Sequence, residues 1–271
     1  MPCYRPATMG TRPRAWIRRC LRAAGAALVA LGTFATAADL SREQVMGALV
    51  SSPGGRAVFD GKDLSDLDLS GLDLRGASLR GTNLFASKLV SADLRGADLS
   101  GANLNGAWLM GADFTGARLR DASLLSVVIL GGTVRKMPTF KGADLRGARI
   151  IADLPGADLS GADLGQARIG VDIKNQGMGQ MRTDLTGANL SGVNLEGADL
   201  NRTLLSFANL RGSNLRGANL FRARLPGADL AGAEVTGADF TEADVSGANL
   251  QEAKGLAQAR GLERAEGTSQ R

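Results

Sequence analysis

The sequence lacks the residues that most catalytic and metal-binding sites need. It contains no histidine, and both of its cysteines, Cys3 and Cys20, lie near the amino terminus. Without histidine there is no histidine base and no histidine metal ligand. Without further cysteine, the chain beyond its first residues has no thiol nucleophile, no cysteine zinc site and no structural disulfide. No enzymatic activity, cofactor or metal site is therefore predicted.

Carboxylates are the one catalytic residue type that the chain has in quantity. Cleavage of a glycoside needs only two acids. Most aspartates, however, recur at one repeated position that is expected to face outward, which is typical of a scaffold and not of a catalytic pair. A binding or structural role is favoured over catalysis.

The positive charge of the chain is concentrated in its first residues. The formal net charge is +5 and the sequence pI is about 9.7, values that suggest nucleic-acid binding. Six arginines, however, precede residue 38, and no acidic residue does: Arg5, Arg12, Arg14, Arg18, Arg19 and Arg22. Without these six arginines the chain has 26 basic and 27 acidic residues. The remainder is nearly neutral, so no nucleic acid is expected as a partner.

The first 37 residues are typical of a secretory signal peptide. An arginine-rich segment ends at Arg22, and an uncharged, alanine-rich stretch follows from Ala23 to Ala38. Small residues at 35–37 suit a cleavage site, and the stretch is shorter than the ~20 residues that span a bilayer. The expected location is therefore periplasmic or secreted. An uncleaved leader acting as a membrane anchor is the alternative.

A repeat with a period of five residues organises the rest of the chain. A large apolar residue stands at every fifth position from Leu185 to Leu250. Alanine usually precedes it by two residues, aspartate or asparagine lies between them, and glycine often follows two residues later. This pattern predicts a short extended side followed by a turn. The predicted interior positions include Ala188, Ala208, Leu190, Leu200, Leu210, Leu220 and Leu230.

The pattern Ala-[Asp/Asn]-Leu-x-x resembles the pentapeptide repeat family, over roughly residues 63–250. The resemblance implies an all-β fold, a right-handed quadrilateral β-helix, with four units and about twenty residues per coil. At that length the chain would form about nine coils. Some members of this family resemble B-form DNA in size and charge and bind type II topoisomerases.

The predicted order of segments follows from breaks in the repeat. A short helix with Ser41 as its N-cap is expected to cap the first coil, and residues 38–60 form this helix and a linker. The β-helix occupies 61–254, with an irregular loop at 170–182, and a charged tail occupies 255–271. Within the β-helix the pattern predicts large interior residues at Val134 and Ile173, close to changes in repeat spacing.

Apolar residues interrupt the polar exterior in the first half of the repeat. Stacking by twenty residues predicts a patch of Phe85, Val90, Trp108, Met110, Leu125, Val128 and Leu130. Such patches mark contact surfaces. The sequence predicts either an interface with a protein partner or a second copy, or burial under a local segment such as 131–139. No small-molecule substrate is expected.

One acidic column is also predicted on the exterior, at Asp73, Asp93 and Asp113. Three stacked carboxylates could bind a cation or raise each other's pKa. Arg75 and Arg95 are expected to point the same way, so a surface ladder of ion pairs is favoured.

The sequence as a whole predicts a non-catalytic, exported β-helical scaffold or protein-interaction module. The alternative is a cytoplasmic DNA-mimicking protein that binds a type II topoisomerase. That role needs a strongly acidic face. Arginines such as Arg80, Arg95 and Arg118 interrupt the predicted acidic columns, which disfavours it.

Overall fold

The computed structural model describes residues 38–52, 56–128, 136–171 and 182–262. The chain divides into two units, Met1–Thr36 and Ala37–Arg271, and every described residue belongs to the second. Its regular elements are the helix α1 (Arg42–Ser51), the strands β1 (Ser123–Val127) and β2 (Arg149–Ala152), and the 3-10 helix η1 (Leu256–Gln258). Neither of these two described helices has the length and apolar character needed to cross a membrane. The leader and the tail beyond 262 lie outside the described residues.

Between these elements the chain forms single parallel backbone bridges at regular intervals. In the regular stretches each bridged residue pairs with the residue twenty positions later, as Asn189 does with Asn209 and Asn209 with Asp229. Successive bridges lie five residues apart, so four short sides complete one turn. The described chain is thus a four-sided solenoid whose coils stack through parallel pairing.

We name the four faces A to D in chain order, each by the column of bridged residues that it carries. The columns run from Val58 to Lys254 on face A, from Asp63 to Arg260 on face B, from Asp68 to Asp244 on face C, and from Asp73 to Asn249 on face D. On face C the column continues from Val128 to Asp153. Val127 of β1 pairs with Ala152 of β2, so the residues that follow them, Val128 and Asp153, are neighbours along the stack.

Each side is held by hydrogen bonds to the coils above and below it. The Asn209 amide donates to the Ala188 carbonyl at 2.9 Å, and the Leu210 amide donates to the Asp229 carbonyl at 2.7 Å. At the following corner Gly212 has φ +62°, a conformation that glycine adopts without a Cβ penalty. Glycine at this position of the repeat therefore lets the chain turn from one side to the next.

The alanine and the large residue of each unit fill the interior. The interior positions assigned from the sequence are all at most 1% exposed: Ala188, Ala208, Leu190, Leu200, Leu210, Leu220 and Leu230. Each buried leucine contributes on the order of 1.5–3 kcal/mol, offset in part by the entropy of ordering the chain. The stack therefore has one continuous apolar core.

The aspartate or asparagine between the alanine and the large residue also stabilises the turn. Its side-chain oxygen accepts the backbone N–H two residues later, as Asp63 does from Ser65 at 3.0 Å and Asn209 from Arg211 at 3.2 Å. Asparagine also bonds along the stack, since Asn209 Nδ2 donates to Asn189 Oδ1 at 3.2 Å. Aspartate and asparagine are favoured because their short side chains reach the turn.

Two insertions interrupt the regular spacing, and the stack closes across both of them. Asp113 pairs with Thr139, and the Phe114 and Phe140 rings stack with centroids 4.9 Å apart. The interior position expected for Val134 is thus taken by Phe140. Asp153 pairs with Asp184, so the position expected for Ile173 is taken by Leu185. Val134 and Ile173 themselves, and most of the 170–182 loop, lie outside the described residues.

The helix α1 lies at the start of the solenoid. Ser41 and Gln44 form a reciprocal capping box at its amino end, and Val45 is fully buried. Met46, the next residue of the helix, is 43% exposed. Arg42 reaches the first coil, where its side chain donates to the carbonyls of Asp68 and Ser70.

Candidate interaction face

The apolar patch predicted from the sequence lies on face C and its two corners. Trp108 and Val128 belong to the face C column, and Trp108 bridges to Val128. Phe85 and Leu125 lie at the corner between faces B and C, and Val90 lies at the corner between faces C and D. Leu130 lies outside the described residues.

The exposed part of this patch is centred on two aromatic rings. Phe85 is 48% exposed and Trp108 is 36% exposed. Val90, Leu125 and Val128 are partly buried. The Lys88 ammonium lies 6.0 Å from the centroid of the Trp108 ring, in the range of a cation–π contact. Face C therefore presents aromatic surface with a cation beside it.

Met110 departs from the predicted patch because it is only 3% exposed. The chain returns to the stack at this corner: the Gly111 amide donates to the Lys136 carbonyl at 2.6 Å, and Met137 packs against the core. The corner at Met110 is thus buried under a local segment, while Phe85 and Trp108 remain exposed.

Phe207 is an exposed aromatic residue that the sequence reasoning missed. It lies at the corner between faces C and D, is 70% exposed and has φ +57°. This left-handed conformation is unusual for a bulky residue. Its signal was present in the repeat, where Phe207 stands at a position that is otherwise mostly glycine.

Gly227→Ala is expected to destabilise the protein more than Gly187→Ala does. Both glycines occupy the corner between faces C and D, with φ +66° and +64°. A Cβ on Gly187 would meet nothing within 4 Å, whereas one on Gly227 would lie 2.6 Å from the Phe207 ring. The left-handed backbone alone should cost roughly 1–2 kcal/mol, and Gly227→Ala must also displace the ring. Urea denaturation of the two variants measures the difference.

The Phe207→Gly background provides the control for this comparison. Without the ring, Gly227→Ala should cost only as much as Gly187→Ala does. An unchanged excess in that background would show that the ring is not responsible.

The acidic column on face D is an ion-pair ladder. Arg75 contacts Asp73 at 2.5 Å and Asp93 at 3.5 Å, and Arg95 contacts Asp93 at 2.6 Å and Asp113 at 3.8 Å. The hydrogen bond from the Arg75 side chain lowers the pKa of Asp73 to about 2, and that from Arg95 lowers the pKa of Asp93. The pKa values of Asp73 and Asp93 are thus lowered and not raised, and the described residues contain no acidic cluster suited to a metal ion.

A shallow depression of about 430 Å³ lies at the corner between faces A and B. Arg120 and Arg146 line it, and both pair with Asp144, at 2.5 and 2.8 Å. Their charges are satisfied within the chain, so this depression offers no free cation to an anionic ligand.

The family model for pentapeptide repeats matches the sequence in eight copies, over residues 56–84, 87–124, 181–217 and 218–254. These ranges cover just over half of the chain. None of the curated proteins matches the sequence.

Several solved structures resemble the fold. HetL, a pentapeptide repeat protein involved in heterocyst differentiation regulation from the cyanobacterium Nostoc sp. strain PCC 7120, is 31% identical, with a TM-score of 0.58, covering 82% of this chain and 94% of HetL. A second Nostoc pentapeptide repeat protein is 39% identical over 34% of this chain and 63% of its own, with a TM-score of 0.25. QnrB1, a plasmid-mediated fluoroquinolone resistance protein, is 19% identical over 76% of this chain and 93% of its own, with a TM-score of 0.35. The likeness to HetL supports the four-sided fold.

Proposed function

The chain belongs to the pentapeptide repeat family, and from this we propose that it is an exported, non-catalytic β-helical interaction module. The family fold is a right-handed quadrilateral β-helix. We place about nine coils in this chain, with α1 covering the first of them. Members of the family generally act as structural or interaction modules, which supports a binding role over an enzymatic one.

The observation that carries this proposal is the exposed aromatic surface on face C. Phe85 and Trp108 are 48% and 36% exposed and lie in adjacent coils, whereas the other two large apolar residues that the described coils expose, Val58 and Phe207, lie apart from them. Aromatic residues are enriched at protein interfaces, where their rings bury large areas with little loss of conformational freedom. We assign the contact with a protein partner to this surface.

A non-catalytic role is supported by the chemistry of the described acids. The chain has no histidine, and residues 38–271 have no cysteine. The aspartates of the repeat accept turn amides, as Asp158 does from Ser160 at 2.9 Å and Asp229 from Ala231 at 3.0 Å. These carboxylates stabilise corners, which accounts for their number without a reaction.

Export is supported by the leader, whose arginines, uncharged stretch and small residues suit a signal peptide. The alternative role, binding of a cytoplasmic type II topoisomerase by DNA mimicry, is less well supported. Face D carries the acidic column, but Arg75, Arg95 and Arg211 neutralise it in ion pairs with its aspartates. DNA mimicry needs a strong negative potential.

Photocrosslinking from position 108 in fractionated cells tests the proposal. A crosslinking amino acid in place of Trp108 should give adducts with another protein chain, and mass spectrometry of the same periplasmic fraction should find a new amino terminus near Ala38. The matched control places the crosslinker at Asp113, which lies in the same coil on face D.

Each half of this experiment has its own contradicting result. An intact amino terminus in the cytosol would overturn export and favour the topoisomerase alternative. Equal adducts from positions 108 and 113, or none from either, would remove face C as the working surface.

A further inference from the structure

Four consecutive positions of the face C column carry a pattern of charge that is complementary to itself. In order along the stack they are Lys88, Trp108, Val128 and Asp153. A cation and an anion thus stand at the two ends of an apolar pair. Lys88 and Asp153 are both exposed.

Neither of the two side chains forms an ion pair within the described part of the chain. Lys88 has no carboxylate within salt-bridge distance and lies 6.0 Å from the centroid of the Trp108 ring. Asp68 is its neighbour in the column, and hydrogen bonds from Ser70 together with the charges of Lys88 and Arg42 lower the Asp68 pKa. Asp153 differs from its counterparts in the repeat because residue 155 is proline, which has no N–H to donate to the Asp153 carboxylate. The described residues show no hydrogen bond or ion pair at Asp153.

Lys88 and Asp153 cannot reach each other within one chain. They lie three coil steps apart, or roughly 14 Å at ~4.8 Å per step. A salt bridge requires about 4 Å. A partner that pairs both charges must therefore bring an anion to Lys88 and a cation to Asp153, at this spacing and with apolar surface between them.

A second copy of the same face meets this requirement when it is turned upside down. With the two-fold axis between Trp108 and Val128, Lys88 faces the partner's Asp153, and Trp108 faces the partner's Val128. The same operation brings Phe85, at the corner between faces B and C, opposite the partner's Ile151. Both corner residues are at least partly exposed. A parallel arrangement would instead place Lys88 against the partner's Lys88, which is repulsive.

Resting on the proposed function, we propose that face C binds a second copy of this chain in an antiparallel, two-fold symmetric dimer centred between Trp108 and Val128. Over these four positions the interface is self-complementary, as a two-fold axis demands. The next residues of the column, Asp68 and Asp184, lie at the ends of the contact, where Arg42 pairs with Asp68 at 3.5 Å. The dimer leaves Met110 and the covered corner beside it outside the contact.

The size of the surface limits the strength of this dimer. The four positions span only about 14 Å along the stack, and the contact is smaller than the ~800 Å² per partner of a standard interface. We therefore expect a dissociation constant in the micromolar range. The dimer should also weaken as salt rises, because its charge pairs lie at the rim.

Charge reversal in the full-length chain tests the proposal. Lys88→Asp and Asp153→Lys should each raise the dimer dissociation constant on the order of 10- to 100-fold, since each creates two like-charge contacts across the axis. The double variant Lys88→Asp/Asp153→Lys restores both pairs with inverted sign and leaves the net charge unchanged. Its dissociation constant should return to near the wild-type value. Sedimentation equilibrium over a range of protein concentrations measures all four.

Two controls exclude trivial causes. Glu196→Lys, on the far side of the coil, changes the net charge as Asp153→Lys does and should leave the dimer intact. Circular dichroism and thermal melting of each variant report whether the solenoid is folded, and the rescue in the double variant is itself evidence against misfolding of the single variants.

The dimer would be overturned if the chain stayed monomeric at a protein concentration about a hundred times the expected dissociation constant. So would a dimer that the single reversals leave unchanged, or one that the double variant fails to restore. Adducts from position 108 with a different protein, together with a monomeric chain, would overturn the dimer alone and leave the interaction module standing.

Discussion

Leu210→Ala is expected to lower the free energy of unfolding by about 2–5 kcal/mol. Leu210 is fully buried in the middle of the upper coils. The coil cannot collapse around the missing atoms, because the amide of Leu210 donates to the Asp229 carbonyl at 2.7 Å and that of Asn209 to Ala188 at 2.9 Å. The side is therefore held in place while its side chain is removed. Urea denaturation followed by circular dichroism measures the loss.

Leu250→Ala is the matched control for this cavity. Leu250 occupies the same position of the repeat but is only partly buried at the last coil. Its truncation removes less buried surface and should cost clearly less than that of Leu210. Equal losses at both positions would show that the effect does not come from a mid-stack cavity.

Ala208→Leu is expected to destabilise the protein by about 1–3 kcal/mol or more, through the opposite defect. Ala208 is fully buried two residues before Leu210, on the same inward-facing side. The amides on this side are bonded to the coils above and below, so the coil cannot widen at one level without breaking those bonds. The extra methyl and methylene groups have no free volume to enter.

A graded series separates volume from the substitution itself. Val193 occupies the same position of the repeat on face A and is fully buried, so Ala208→Val should cost less than Ala208→Leu. Ala231→Leu, at a half-exposed corner position, should be nearly neutral. If Ala208→Leu matched that corner control, the position would not be a tight interior one.

The architecture could be predicted because the repeat records it locally. Each unit contains its own interior pair, its turn and its polar residue, and these are read from spacing alone. The role of the polar residue was not predicted, because the bond from the Arg211 amide to Asn209 appears only when the turn is formed. The ladder of ion pairs at Asp73, Asp93 and Arg75 followed from residues two and twenty positions apart, and the structure places them as expected.

The candidate interface was predicted less completely. Spacing by twenty brought Trp108, Val128 and Phe85 to one side of the coil, and they lie there. The same spacing of twenty residues placed Met110 in the exposed patch. Met110 is buried instead, because the chain after the first insertion returns over its corner. Phe207 was not predicted because it stacks between Gly187 and Gly227, so spacing by twenty residues brings no second apolar side chain beside it.

The sequence by itself determined which residues form the extended sides, which form the turns and which are buried. Each five-residue unit has the same alanine, polar residue, large apolar residue and glycine, so the same local structure forms many times. Only the tertiary structure decided which residues meet across the insertions. Asp153 lies twenty-five positions after Val128 in the chain, yet it is the next residue on face C, since β1 and β2 pair across the gap. An insertion lengthens a corner and not a side, because the backbone hydrogen bonds between coils restore the register wherever the next complete side begins. The complementarity of Lys88 and Asp153 exists only in that restored register.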